Sequence, residues 1–240
     1  MELQALELGS LVRTVQRIDP LILMVDLEGC VVDRIDCTNN RLPADLRTAA
    51  SLRAVLSTPV CDAWLGLVRD TLARREGLAT MAIIDGRGHA VVVEPQLAPC
   101  PSAMIAIFPT AMCEGVIGLA NGVRHETLLQ HEWGRLECLS RGQLDTLRSV
   151  TMGFSNAQIA QRVYRTKRAI EWHIRFLNQL LGVNGREELA TIGRDAGLCC
   201  FSDEAWTCVL RERPTRRVLD MPGMLCEPKP KPKPKPNQAA

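Results

Sequence analysis

Lysine is missing from the first 166 residues of this 240-residue chain, so any chemistry that requires one there is excluded. The ten cysteines form no CxxC pair, and none is followed by histidines at zinc-ligand spacing. They read as small buried hydrophobes, with no metal expected. No apolar run reaches the roughly 18 residues of a membrane span, and MELQALELGS lacks the basic start and apolar core of a signal peptide. No membrane partner and a cytoplasmic location are expected. GxSxG, Walker, HExxH and dinucleotide fingerprints are all absent. Neither an enzyme nor a cofactor is expected, and no catalytic residue is assigned.

What is present is ordinary soluble composition, 46% hydrophobic and 23% charged. The net charge of +2 conceals an uneven distribution. Residues 1–138 carry 12 arginines against 17 acids, whereas residues 139–197 carry 9 basic and 5 acidic groups. An acidic front and a basic back are the result.

Leu8, Leu11, Val12, Val15 and Ile18 share one helical stripe, predicting an amphipathic helix within residues 1–19. LILMVDLEGCVVDRI (21–35) reads as two strands around Glu28-Gly29, and residues 41–58 as partly helical. A helix over 61–74 turns Trp64, Leu67, Val68 and Leu72 inward. Residues 79–95 form a hairpin around Asp85-Gly86-Arg87-Gly88, and 102–109 adds a strand. This order predicts an α+β sensor-like domain over 20–110, an antiparallel sheet with helices on one face. It resembles the PAS and GAF sensor families in element order. Asp26, Glu28, Asp33 and Asp36 crowd the first hairpin, but a receiver-type magnesium site needs a distal lysine, so they read as a solvated rim. His89 reads as structural.

Residues 111–137 are predicted to be a helical connector through Leu128, Leu129, Trp133 and Leu136. Four helices follow over 138–197. Ser140 caps the first, with Gln143 at the box position; Ser155 caps the second; Thr166 caps the third, whose Ile170, Ile174, Leu177 and Leu181 keep the helical period; and a fourth runs from Arg186 to Gly197. Two short helices, a tight turn and a longer helix make a helix-turn-helix. Residues 139–181 hold 7 basic and 2 acidic groups, compact enough for one DNA-facing module. Residues 198–227 form an extension in which Phe201, Trp206, Val209 and Leu210 are placed to pack back. The Lys-Pro repeat within 228–240 cannot pack a core and is expected to be disordered, extended over about 28 Å.

Leu139, Leu147, Gly153, Ser155-Asn156, Ile159-Ala160, Val163, Thr166, Ile170, His173, Leu177, Leu181-Gly182-Val183, Arg186 and Leu189 occur in the order of a family pattern. On these landmarks the segment resembles the LuxR/GerE-type DNA-binding domains. The resemblance implies that the helix from Thr166 to Leu181 enters the major groove, that the chain works as a homodimer on double-stranded DNA, and that it regulates transcription. The DNA-contacting candidates are Arg162, Arg165, Thr166, Lys167, Arg168, Glu171, Trp172 and Arg175. Arg186 is expected to fix the last helix. Ala169, Glu171 and Leu180 stand where the family commonly has Thr, Lys and Lys, which removes phosphate contacts and adds a repulsive charge. A protein-interaction or scaffold role for a helix-turn-helix that has lost DNA binding is therefore the alternative. A small-molecule or protein signal acting at the front domain fits either reading.

Overall fold

The computed structural model describes residues 20–36, 42–96, 100–109 and 123–213. The stripe at 8–18 and the Lys-Pro repeat lie outside them. A continuous apolar run forms β1 (Leu21–Val25) and the more polar Val31–Asp36 forms β2, joined by a turn in which the Asp26 carboxylate accepts from the amides of Glu28 and Cys30. Short helix α1 (Ala44–Thr48) and a 3-10 turn (Leu52–Ala54) lead into α2 (Thr58–Arg74), which buries Trp64, Leu65 and Val68. Strands β3 (Leu78–Ile84) and β4 (Arg87–Gln96) are joined by Asp85 and Gly86, both at positive φ (49° and 72°). That is the two-residue turn whose twist matches a hairpin. Strand β5 (Ser102–Pro109) and a short β6 (Arg124–His125) complete a six-stranded sheet ordered β2-β1-β5-β4-β3-β6.

The sheet is mixed, not purely antiparallel, because β6 pairs parallel to β3. Over 123–137, the described part of the connector, the predicted α-helix does not form either. Beyond β6 the chain runs without helix to a 3-10 turn at Gly134–Cys138. The reason is visible in where its apolar side chains go. Leu128 enters the core between the sheet and α2, while Trp133 and Leu136 enter a second core on the opposite face. A single helical stripe cannot serve two cores on either side of a sheet.

The second core joins the sheet to the C-terminal helices. Met81, Ile83, Ala90, Ala106 and Phe108 cluster there with α3 (Arg141–Thr151), α4 (Asn156–Arg162), α5 (Lys167–Leu181), α6 (Arg186–Asp195) and α7 (Asp203–Glu212). An α+β unit is thus followed by an all-α unit, as the pattern predicts. Trp206 and Val209 of α7 are buried, so the described part of the extension does pack back. The cysteine reading needs correction: of the seven described, only Cys61 is buried, and all seven are free thiols. No helix among the described residues is long and apolar enough to cross a membrane, and those residues hold no cluster of three metal-ligating side chains.

Candidate nucleic-acid interface

Three caps set the helix-turn-helix. Ser140 and Gln143 exchange side chain and backbone bonds at the start of α3, and Ser155 and Gln158 do the same at α4. At α5 the Thr166 hydroxyl accepts from the Ala169 amide at 3.2 Å. Gln completes both boxes as well as Glu would. Tyr164, in the turn between α4 and α5, sits at φ 52° with 94% of its surface exposed. Gly182, at φ 67°, ends α5 with its amide donating to the Asn178 carbonyl.

Behind α5 the support is apolar. Ile170 and Leu177 are buried with Leu144, Leu147, Val150, Ile159 and Leu189. Arg186 donates to the Asn156 side chain at 2.7 Å and to the Phe154 carbonyl, tying α6 to the start of α4. Partial burial pulls its pKa below the usual arginine value. Arg148 is 5% exposed and donates to the carbonyls of Leu198 and Phe201 and to Asp203, clamping α7 onto α3.

The sequence-predicted residues separate into three groups. Arg168, Trp172 and Arg175 occupy the face of α5 opposite Ile170, Ile174 and Leu177, and all three are exposed. Neither arginine has an ion pair among the described residues; Arg165, in the preceding turn, is likewise exposed and has none there. Lys167 and Glu171 face each other one turn apart at 3.9 Å, so part of the lysine charge is answered locally. Arg162 lies over the Phe154 ring, 4.8 Å from its centroid, and pairs with Asp203 at 3.3 Å. Asp203 is thereby held between Arg148 and Arg162, whose hydrogen bonds and charges keep its carboxyl below the usual range. Thr166 is fully engaged as a cap acceptor, though its hydroxyl proton remains available to donate.

Tyr164, Phe176 and Asp203 belong to this surface and were not among the predicted residues. Tyr164 was accessible to sequence reasoning, as the chain's one tyrosine beside Arg165. The role of Asp203 was not, since it comes from a helix 41 residues after Arg162. Two hollows bear on the sensor question. One of about 430 Å³ lies beside Ser57, Val60, His131, Trp133 and Arg213, and one of about 330 Å³ beside Leu46, Leu56, Ile84 and Glu132. Both fall in the size range of small-ligand pockets.

No protein-family model matches this chain, and no curated protein does. Among solved structures it is similar to a phage VqmA in complex with DPO, at 15% identity, covering 84% of this chain and 93% of that one, with a TM-score of 0.36. It is similar also to a Vibrio cholerae VqmA–ligand–DNA complex, at 13% identity over 79% and 88%, TM-score 0.36. A third likeness is to the Vibrio cholerae VqmA dimer in the absence of target DNA, at 12% over 83% and 92%, TM-score 0.32.

Proposed function

We propose that this chain is a transcription regulator that binds duplex DNA through α5 and the turn before it. The observation that carries the reading is the exposed cationic start of α5, standing on a packed three-helix support with Arg165, Lys167, Arg168 and Arg175 at the surface. The first-turn amides of a helix suit a phosphate, and lysine and arginine beside them neutralise its neighbours. Thr166 orders those amides. Arg162 contributes once a phosphate competes with Asp203 for it. Glu171 accepts from a cytosine amine or else restrains Lys167. One such helix reads few base pairs, so a homodimer on a two-fold site completes the proposal. The front domain, through a small molecule or a protein at one of its hollows, would alter how the two helices are presented.

The test is fluorescence anisotropy of the full chain with duplex DNA at two salt concentrations. Four neutralised phosphates per protomer, eight in the homodimer, give a log–log salt slope of about −7.2, hence affinity roughly 2 × 10⁴-fold weaker at about 200 mM than at about 50 mM salt. Reversing charge with K167E and R168E should flatten that slope by about 3.6 in the homodimer and weaken binding at least about tenfold. Salt-independent or unaltered binding overturns the groove reading. One observation favours the alternative of a protein-interaction module: Lys167 and Arg162 already have acidic partners in this chain. Absence of binding to any duplex would select it.

A further inference from the structure

The outward pole of α5 is aromatic. At about 100° per residue, Trp172 lies nearly opposite the buried Ile170 and Leu177 and the half-buried Ile174, with Arg168 one turn before it and Arg175 one turn after. Trp172 is 53% exposed. It stacks on Phe176 with centroids 5.3 Å apart and planes at 10°, and His173 meets it at 66° and 5.5 Å. An indole held on two sides before any partner arrives loses little side-chain freedom on docking. A large apolar ring left half in water at the centre of a basic face is a surface that waits for an apolar partner.

The major groove offers one such partner. Guanine, adenine and cytosine edges present polar donors and acceptors there, whereas thymine alone displays a methyl group, beside its O4 acceptor. Resting on the reading of α5 as a groove-entering helix, we propose that Trp172 is a specificity-determining residue that reads the 5-methyl group of thymine. Phe176 is the positioning residue that fixes the indole plane. Arg168 and Arg175 bracket the contact and hold the helix in register on phosphates or guanine edges. Specificity at the centre of the site then comes from an apolar contact, and its flanks supply the charge.

The experiment starts from a random-sequence duplex library bound to the full chain. Enriched duplexes are resynthesised with deoxyuridine in place of each enriched thymine, which deletes the methyl group and leaves every hydrogen-bonding atom. The wild-type chain should bind the uracil duplex about fourfold more weakly for each methyl contacted, given the transfer free energy of one methyl group. Trp172→Ala should bind thymine and uracil duplexes alike while keeping the salt slope; the exposed position makes this variant tolerable to the fold, which circular dichroism checks. Phe176→Ala should lose part of the discrimination. Equal affinity of the wild-type chain for thymine and uracil duplexes overturns the proposal and leaves the DNA-binding reading standing, as does binding without enrichment of any thymine. If no duplex binds at any salt concentration, both fall, and the aromatic pole is left to a protein partner.

Discussion

His131 is 6% exposed at the seam between the sheet and the helical unit, with Nδ1 accepting from the Ile83 amide at 3.2 Å and its ring set edge-on to Trp133 and Phe201. Burial pushes its pKa down to about 3, against a smaller opposing pull from the Leu128 carbonyl. His89 is 3% exposed, on the sheet face toward α2, and is pushed down to about 4. Neither of its nitrogens makes a well-formed hydrogen bond, although the nearby Phe108 carbonyl slightly favours the charged form. Both folded values lie below the ordinary histidine value near 6.5, so the unfolded chain binds more protons as pH falls. The stability these neutral rings contribute is complete above about pH 6.5. Below that it is lost by about 1.4 kcal/mol per pH unit per histidine, until the folded values are passed. Urea midpoints between pH 7.5 and 4.5 should show this fall. His131→Phe should lower stability overall and remove about half of the pH slope. A pH-independent midpoint would show that the imidazoles are solvated. Its place in a strand made His89 legible as structural, but the core it enters was not, and the burial of His131 was not legible, because it follows no strand or apolar run.

Helices α3 and α6 cross where Gly193 faces Thr151. A Cβ at Gly193 would collide with the Thr151 hydroxyl oxygen, which is itself tied back to the Leu147 carbonyl at 2.8 Å. Gly193→Ala should therefore destabilise the helical unit by about 1–3 kcal/mol, the usual range for overpacking. Thermal unfolding checks this, and adding Thr151→Ala should recover part of the loss. A neutral Gly193→Ala would mean that the helices do not approach so closely. The caps of these helices were readable because each is a contact over three residues: Ser140 with Gln143, Ser155 with Gln158, Thr166 with Ala169. The connector was misread for the converse reason. Leu129, Trp133 and Leu136 have helical spacing, yet Leu128 enters one core while Trp133 and Leu136 enter another across the sheet.

In the molecule as a whole, neither face of the sheet is left to solvent at its centre. One is covered by α2, the other by the helical unit, with Gly88 of β4 pressed against the backbone of Ala196 and Gly197. A Cβ at Gly88 would come within 2.7 Å of those backbone atoms, which cannot swing aside. Gly88→Ala should prise the helical unit from the sheet at a cost of about 1–3 kcal/mol. It should also turn one cooperative urea transition into two. A single unchanged transition would show that the two units are not coupled through this contact. The same packing leaves the cationic face of α5 outward, which the proposed DNA contact requires.

The strand runs, the Asp85-Gly86 turn, the caps and the outward side of α5 were determined by the sequence alone, because each depends on residues close to one another along the chain. Which basic groups around it remain available was decided locally for Lys167, paired with Glu171 one turn on, and by tertiary structure for Arg162. Arg162 is answered by Asp203, and Asp203 is brought there by a helix that Arg148 clamps in place. Local geometry fixes where a side chain points; only the path of the whole chain brings it a partner from 41 residues away.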